Sequence, residues 1–257
     1  MLNIIFLHLS RILKEYPKIQ DYLKKYYSGD IKEALLRLEN GEPVQYIVGN
    51  VDFYGFPFVV NKNVLIPRFE TEELVERAIA IIQKKFSKKI DVVDLGTGSG
   101  CIAITLKKMI DANVDAVDIS ERALDVAKKN ASKNQVDIQF YLGDMLEPLH
   151  KKYDVIISNP PYIAESEEIM EIVKNNEPHQ ALYAKNNGLY FYEEILKNVK
   201  NYLKNQYLIA FEMGETQGEA IKEMAYQYLG HCEVTIEKDL TGSDRFVFII
   251  GEQNGRI

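Results

Sequence analysis

Hydrophobic positions in the first forty residues recur with helical spacing. Those between residues 2 and 13 fall on one face of a helix, and those between residues 19 and 27 repeat the i, i+3, i+4 pattern. Asp30, with Glu33 three residues later, has the form of a capping box that opens a third helix. We therefore predict a small helical domain over residues 1–41.

A different pattern follows between residues 44 and 60. This stretch is rich in Val, Ile, Phe and Tyr, and it is interrupted by Gly49-Asn50 and by Gly55. Apolar β-branched and aromatic residues separated by turn residues are typical of short strands. We predict short strands or a β-hairpin here, within a connector that spans residues 42–67.

Beyond the connector, helical and strand-like segments alternate. Thr71 opens a helix with acidic residues in its first turn, and residues 120–133 and 189–204 also have helical patterns. Five apolar runs have the character of strands, at residues 90–95, 114–119, 137–142, 153–158 and 207–213. This alternation predicts a parallel sheet that is covered by helices on both faces.

The last two strand-like runs, residues 231–238 and 245–250, have no helix between them. They therefore predict an antiparallel pair at an edge of the same sheet. We expect residues 68–257 to form one Rossmann-like α/β domain with this antiparallel edge, preceded by the helical domain and the hairpin.

Composition and charge narrow the classes of function. With 46% hydrophobic and 27% charged residues, the 257-residue chain has ordinary globular composition. Its 31 basic and 38 acidic residues give a net charge of -7, which disfavours a protein that grips a phosphate backbone. Residues 1–66 carry 8 basic against 7 acidic residues, or +1, so the remainder carries -8. This asymmetry suggests two parts.

The cysteines and histidines indicate neither disulfides nor a metal site. Cys101 and Cys232 lie 131 positions apart without a CxxC motif, and the four histidines lack metal-ligand spacing. The apolar start of the chain has no basic n-region or cleavage site and is too short to span a bilayer. We expect a cytoplasmic protein that needs no metal and does not associate with membranes.

A glycine-rich loop follows the first strand of the alternating series. In the sequence DVVDLGTGSGCIAI, the glycines at 96, 98 and 100 allow a tight turn and close approach of a ligand to the helix N-terminus. Asp118 ends the next strand, where a carboxylate can accept hydrogen bonds from ribose hydroxyls. A nucleoside-containing cofactor fits both features, although glycines that only allow close packing would also account for the loop.

The GxGxG spacing of this loop matches neither the GxGxxG nor the P-loop pattern of phosphate binders. S-adenosylmethionine has a ribose and an adenine but no pyrophosphate, and Asp94 could receive its ammonium group directly or through water. After the third strand, Asp144 could meet the adenine amino group and Met145 could lie against the ring. A turn with a solvated Asp is the alternative for that segment.

The sequence Asn159-Pro160-Pro161-Tyr162 ends the fourth strand and so shares an edge of the sheet with the glycine loop. Asn159 offers a side-chain carbonyl acceptor, Pro160 a backbone carbonyl in a restricted segment, and Tyr162 an aromatic plane. Two acceptors and one stacking face describe a clamp for a flat group that carries NH₂. Holding that nitrogen in line with a sulfonium methyl would promote methyl transfer. The motif alone leaves a side-chain amide and an adenine open, and a stiff loop capped by a packed Tyr is the bland interpretation.

The chain resembles the peptide chain release factor glutamine methyltransferases from about Pro43 to Phe248. The resemblance is carried by PVQYIVG (43–49), FYGFPFVV (53–60), VLIPRFETEELVE (64–76), DLGTGSGCIAI (94–104), SNPPYI (158–163), EPHQAL (177–182), GLYFYEEI (188–195) and DLTGSDRFV (239–247). It implies a class I methyltransferase fold and S-adenosylmethionine as the cofactor. It also implies methylation of the Gln side chain in the Gly-Gly-Gln loop of release factors, which modulates translation termination.

The same resemblance assigns roles to residues. The cofactor would be lined by Gly96, Thr97, Gly98, Ser99, Gly100, Asp118, Met145 and Asn159. The substrate Gln would be bound by Asn159, Pro160, Pro161 and Tyr162, of which Asn159, Pro160 and Tyr162 would be catalytic. The partners would be release factors, bound by the helical domain as a recognition unit, with no direct nucleic acid contact and a monomeric enzyme.

Two positions depart from the family pattern. Phe69 replaces the second proline of IPRPETE, and Asn176 stands where an aromatic residue commonly precedes EP, while Arg68 and Glu177 are kept. The helical domain is also shorter than is typical. Glutamine methylation of a ribosomal protein, adenine methylation of nucleic acid and a non-catalytic cofactor-binding module remain the alternatives.

Overall fold

The computed structural model describes residues 19, 21 and 23–253, so the helix predicted over residues 2–13 lies outside the described residues. Residues 23–26 are helical, and helix α1 spans Ile31–Glu39. Asp30 is the N-cap of α1, as its place in the predicted capping box requires, and its carboxylate accepts a hydrogen bond from the Lys32 backbone N–H at 2.9 Å.

The connector contains a helix as well as the predicted hairpin. Strands β1 (Asn50–Phe53) and β2 (Phe56–Val59) pair antiparallel, whereas residues 44–48, predicted as part of the strands, form helix α2 (Val44–Val48). Pro43 at the N-cap position favours this helix, and Gly49, with φ +77°, ends it in a left-handed conformation that favours glycine. The apolar run 44–48 is therefore helical although its composition is typical of a strand, because the residues at its two ends favour a helix.

Helix α3 spans Phe69–Lys85 and begins two residues before Thr71, the predicted start. Its first turn carries Glu70 and Glu72 and its last turn two lysines, which suits the helix dipole. Its buried apolar face is formed by Leu74, Val75, Ala78, Ile79 and Ile82.

The remaining strands form one large sheet and one small one. In chain order they are β3 (Ile90–Leu95), β4 (Ala112–Asp118), β5 (Gln139–Leu142), β6 (Tyr153–Ser158), β7 (Ile163–Ala164), β8 (Tyr183–Ala184), β9 (Leu203–Glu212), β10 (Glu233–Lys238) and β11 (Asp244–Glu252). The large sheet has the order β5-β4-β3-β6-β9-β11-β10, and β7 pairs with β8 separately. The first five strands are parallel, β11 pairs antiparallel with β9, and β10 at the edge pairs antiparallel with β11. The predicted Rossmann-like sheet with its antiparallel edge is confirmed.

Helices cover both faces of the sheet. They are α4 (Cys101–Met109), α5 (Glu121–Lys133), α6 (Glu171–Asn176), α7 (Tyr190–Asn198) and α8 (Gly218–Leu229), with 3₁₀ turns at His179–Ala181 and Val199–Tyr202. Alternate residues of each central strand face opposite sides. In β9, Leu208 joins the core beneath α3 and α4, while Ile209 joins the core beneath α7 and α8. None of the helices in the described part of the chain is long and apolar enough to cross a bilayer.

Helix α2 contributes to two apolar clusters. Ile47 packs with Leu23 and Ala34 in one, whereas Tyr46 belongs to a second cluster formed with residues of the connector and of α5. The Tyr46 hydroxyl donates to the Val64 carbonyl at 2.6 Å. Two adjacent residues of one short helix therefore anchor two clusters, while the domain boundaries at residues 41 and 67 stay predictions.

Asn130 fastens the hairpin to the glycine loop. Its side chain is fully buried in α5, accepts from the Val59 N–H at 2.6 Å, and donates to the carbonyls of Val59 and Ser99 at 2.9 Å each. A single side-chain amide thus forms hydrogen bonds with the backbone of Val59 in β2 and of Ser99 in the loop that follows β3.

We expect Asn130→Ala to lower the free energy of unfolding by about 2 to 3 kcal/mol, because buried backbone groups lose their partners. Urea unfolding followed by circular dichroism measures this change. Asn113→Ala is the matched control, since Asn113 is exposed and its bond to Asp91 is a surface bond, so a loss under about 0.5 kcal/mol is expected. Equal losses in the two variants would contradict the anchoring role of Asn130.

Candidate functional site

The register of the sheet brings three loops to one edge at the same level. Ser158 at the end of β6 pairs with Leu95 of β3 on one side and with Phe211 of β9 on the other. The Ser158 hydroxyl also donates to the Leu95 carbonyl at 2.6 Å. The residues that come next along these three strands are Gly96, Asn159 and Glu212.

The glycine loop folds back over the end of β4. The N–H groups of Gly96 and Thr97 both donate to the Val117 carbonyl at 2.9 Å, and the Gly98 N–H donates to Asp118 Oδ2 at 2.8 Å. Gly96 and Gly98 have φ values of +72° and +55°, and apart from their chain neighbours no atom in the described part of the chain lies within 4 Å of where their Cβ atoms would be. The backbone conformation favours glycine, and the space beside the loop is open.

Asp118 is held by two backbone donors. In addition to the bond from Gly98, its Oδ1 accepts from the Ser120 N–H at 2.8 Å. Burial raises the pKa of Asp118, and the two N–H bonds oppose that rise by stabilising the ionised form. The carboxylate is thereby oriented at the end of β4, and each oxygen keeps a lone pair for another donor.

Asp94 lies fully buried beneath the same loop. Its Oδ2 accepts from the Thr97 hydroxyl at 2.6 Å and from the Ala103 N–H at 3.3 Å, whereas its Oδ1 has no hydrogen-bond partner among the described residues. Burial raises the pKa of Asp94 to about 7. A buried carboxylate oxygen without a partner is costly, so a donor supplied by a ligand or water would stabilise it.

Two cavities meet at this edge. The first is lined by predicted cofactor and substrate residues, namely Gly96, Thr97, Gly98, Ser99, Asp118, Met145, Asn159 and Pro161. The second is lined by Tyr162 and Glu212 together with apolar residues from the segment 163–182. Asn159 and Arg68 line both cavities. A group in the first cavity and a group in the second would therefore approach each other beside Asn159.

Two of the predicted site residues line neither cavity. Pro160 is buried. The group that the sequence analysis predicts to bind the substrate NH₂ is its backbone carbonyl. Gly100 is buried between α4 and α5, where a Cβ atom would lie 3.2 Å from that of Ala127. Gly100 thus allows close packing of two helices behind the glycine loop.

The backbone of Tyr162 is fixed from behind. Gln217 donates to the Tyr162 carbonyl at 2.9 Å, and its own Oε1 accepts from the Gly214 N–H at 2.9 Å. Gly188, with φ +83°, passes so close that a Cβ atom would lie 2.0 Å from the Tyr162 carbonyl oxygen, which excludes every other residue at this position. Burial raises the pKa of the Tyr162 phenol well above its usual range, so the ring is neutral.

Arg68 and Glu177, which the family pattern retains, form one joint in which the Glu177 side chain is buried and the Arg68 side chain is partly exposed. Arg68 Nη2 donates to Glu177 Oε1 at 2.6 Å, and the Ile66 N–H donates to Glu177 Oε2 at 3.0 Å. The neighbouring Asn176 donates to the Gly41 carbonyl at 2.9 Å, and the side chain of Phe69 is exposed at the start of α3. The departure at 176 therefore adds a bond to the end of the helical domain, and the departure at 69 places an aromatic ring in solvent.

The sequence interpretation missed two polar residues of the site. The sequence pattern identifies Thr71 only as a helix start and Glu212 only as part of a strand. In the structure, Asn159 Nδ2 donates to Thr71 Oγ1 at 3.1 Å and Thr71 donates to Glu212 Oε2 at 2.6 Å. A carboxylate that ends an apolar strand beside the Asn-Pro-Pro-Tyr segment is the signal that could have identified Glu212.

Cys101 follows the glycine loop but is buried, and burial raises the pKa of its thiol to about 12, so it is not a reactive thiolate. Within residues 19, 21 and 23–253, no three His, Cys, Asp or Glu side chains are grouped so as to hold a metal ion.

Comparison of the amino-acid sequence with known proteins shows which family the chain belongs to. The family model described as the methyltransferase small domain matches residues 71–188. The release factor glutamine methyltransferase of Bacillus subtilis is 43% identical over 224 residues, which cover 84% of this chain and 78% of the relative. The chain belongs to the release factor glutamine methyltransferase family. The enzyme of the same name from Staphylococcus aureus is 44% identical over 220 residues, covering 83% of this chain and 78% of that one.

The fold agrees with that membership. The crystal structure of a methyltransferase from Pyrococcus furiosus superposes with a TM-score of 0.58 at 17% identity, covering 85% of this chain and 97% of that one. The predicted family, the fold class and the methyltransferase activity are confirmed, so this member of the family is an enzyme. The roles of the individual site residues stay predictions.

We expect Glu177→Gln to lower the free energy of unfolding by about 2 to 4 kcal/mol, because a nearly buried carboxylate (2% exposed) loses its charge beside Arg68. Glu42→Gln is the control: the Arg37–Glu42 pair has two bonds, at 2.6 and 2.7 Å, but its carboxylate is 30% exposed, so a loss below about 1 kcal/mol is expected. Chemical denaturation of both variants measures the difference, and a Glu177→Gln protein as stable as Glu42→Gln would show that the joint is not structural.

Proposed function

We propose that this enzyme transfers a methyl group from S-adenosylmethionine to the side-chain amide of the Gln in the Gly-Gly-Gln loop of peptide chain release factors, and so modulates translation termination. The observation that carries the proposal is the meeting of two cavities at Asn159 in a chain of this family. The names of the relatives supply the substrate class.

The first cavity has donors and acceptors that suit S-adenosylmethionine. Asp118 is oriented to accept from the ribose hydroxyls, and Met145 lines the cavity where an adenine would lie. Asp94 lies behind this cavity and accepts a hydrogen bond from Thr97, which lines it, so the unpartnered Oδ1 of Asp94 would receive the ammonium group through water. The open space beside Gly96 and Gly98 accommodates a ligand against the backbone. When bound, this cofactor supplies an electrophilic sulfonium methyl group.

The chain's own residues would hold the amide. Asn159 Oδ1 and the Pro160 carbonyl accept the two amide hydrogens, and Tyr162 supports the plane of the group. An amide nitrogen is a weak nucleophile because its lone pair is delocalised, so orientation toward the methyl carbon is a large part of the rate. The two acceptors bind more strongly as positive charge develops on the nitrogen, which stabilises the transition state. Transfer would join the amide nitrogen to the methyl group that the cofactor supplies, in place of the carbon–sulfur bond, and a proton of the amide would pass to solvent.

The remaining partner predictions follow from charge and organisation. The net charge of -8 over residues 67–257 favours a protein substrate over nucleic acid. The helical unit before the hairpin is proposed to contact the release factor, and we expect a cytoplasmic monomer without a bound metal.

Transfer of labelled methyl groups to purified substrates tests the function. Release factor, ribosomal protein and DNA are offered separately, and modified peptides are mapped by mass spectrometry. We expect label on the Gly-Gly-Gln glutamine of the release factor, and none on a release factor in which this Gln is replaced by Ala. Label on DNA or on ribosomal protein alone would overturn the proposal in favour of the corresponding alternative.

Asn159→Ala removes one of the two acceptors of the clamp. We expect it to raise the barrier by about 1 to 3 kcal/mol, or to slow turnover about 5- to 150-fold. Binding of S-adenosylmethionine, measured by calorimetry, should persist, because the glycine loop and Asp118 are untouched. Turnover close to that of the wild type would rule out a clamp role for Asn159.

A further inference from the structure

A chain of hydrogen bonds runs from the buried end of β9 to the wall shared by the two cavities. The side chains of Glu212 and Thr71 are 1% and 3% exposed. Thr71 donates to Glu212 Oε2 at 2.6 Å and accepts from Asn159 Nδ2 at 3.1 Å. The residues come from β9, α3 and the loop after β6, so three separate elements are joined by this chain.

The chemistry of these groups fixes which atom donates and which accepts in each of the two hydrogen bonds. An ionised carboxylate has no proton to donate, so the Thr71 hydroxyl must give its single hydrogen to Glu212. The Thr71 oxygen then has only lone pairs left, and only the NH₂ end of the Asn159 amide can donate to it. The carbonyl oxygen Oδ1 of Asn159 therefore turns away from Thr71 and remains available as an acceptor.

We propose that Glu212 is a positioning residue that, through Thr71, fixes the side-chain amide of Asn159 with its carbonyl oxygen free for the NH₂ group of the substrate. The consequence for turnover rests on the proposed function, whereas the orientation of Asn159 does not. Without an acceptor-only group at 212, Thr71 could donate to Asn159 Oδ1 instead. The amide would then present its own NH₂ to a substrate NH₂, which is a repulsive arrangement.

The surroundings make the charge state of Glu212 sensitive to pH near neutrality. Burial raises the pKa of Glu212 to about 7, opposed by the Thr71 hydroxyl, by the positive charge of Arg245 and by the amide of Asn159. The other titratable groups that face it are Glu70, Tyr162, Tyr192 and Cys101. Because the raised pKa belongs to an acid, the ionised form that directs the chain is lost as the pH falls below about 7.

Steady-state kinetics of Glu212→Gln and Thr71→Val provide the first test. With saturating S-adenosylmethionine, we expect kcat to fall about 10-fold or more in each variant while KM for S-adenosylmethionine stays unchanged. Thr71→Ser keeps the hydroxyl and should restore kcat. Glu73→Gln, at a buried carboxylate that instead pairs with Arg77, controls for the loss of a buried charge and should keep the wild-type kcat. A wild-type kcat in Glu212→Gln or in Thr71→Val would overturn the proposal.

Nuclear magnetic resonance of the side-chain NH₂ group of Asn159 provides a second test that needs no turnover. The signals are assigned by their loss in Asn159→Asp, and are followed between about pH 5 and pH 9. We expect them to titrate with a midpoint near pH 7 in the wild type and in Thr71→Ser, and not in Glu212→Gln. Signals that do not move in the wild type, or that titrate equally in Glu212→Gln, would overturn the inference. Failure of the wild type to methylate release factor would overturn only the proposed function.

Discussion

The site depends on the hydrogen-bonded ladder that holds β6 between β3 and β9. Because Ser158 is paired on both sides, the glycine loop, the Asn-Pro-Pro-Tyr segment and Glu212 all begin at one level of the sheet edge. A shift of β6 by one residue would exchange the two faces of the strand and carry buried Ile157 to the opposite layer, so the apolar core forbids it. The core thereby sets the position of Asn159 to within one residue.

The same edge holds two buried carboxylates, Asp94 and Glu212, and burial raises the pKa of each to about 7. For such acids the contribution to stability is fully present below the unfolded-state pKa and is lost as the pH rises through the folded-state pKa. When Asp94 and Glu212 are ionised near neutral pH they lower the free energy of unfolding, and the packing of the core offsets this loss. Asp94 accepts a hydrogen bond from Thr97, which lines the first cavity, and Glu212 lines the second, so each cavity has one perturbed acid in or directly behind its wall.

Much of this arrangement could be predicted from sequence because it is governed by local rules. The sheet could be identified from the apolar strand-like runs, from the glycines between them and from the residues that cap the helices. The positions of Gly96, Asp118 and Asn159 at strand ends followed from the parallel topology. Helix α2 was missed because its five residues have strand-like composition, and Pro43 and Gly49 decide its structure. Thr71 and Glu212 were missed because their pairing joins residues 141 positions apart, a contact that no local pattern encodes.

The joint at Glu177 also connects the second cavity to the helical unit. Arg68 lines that cavity and is held by Glu177, while the adjacent Asn176 binds the Gly41 carbonyl directly after α1. The end of α1 is therefore connected to the cavity wall by the Asn176–Gly41 and Arg68–Glu177 hydrogen bonds as well as by the polypeptide backbone. A protein substrate that contacts both the helical unit and the cavity would meet surfaces whose relative position is already fixed. This would lower the conformational entropy lost on docking.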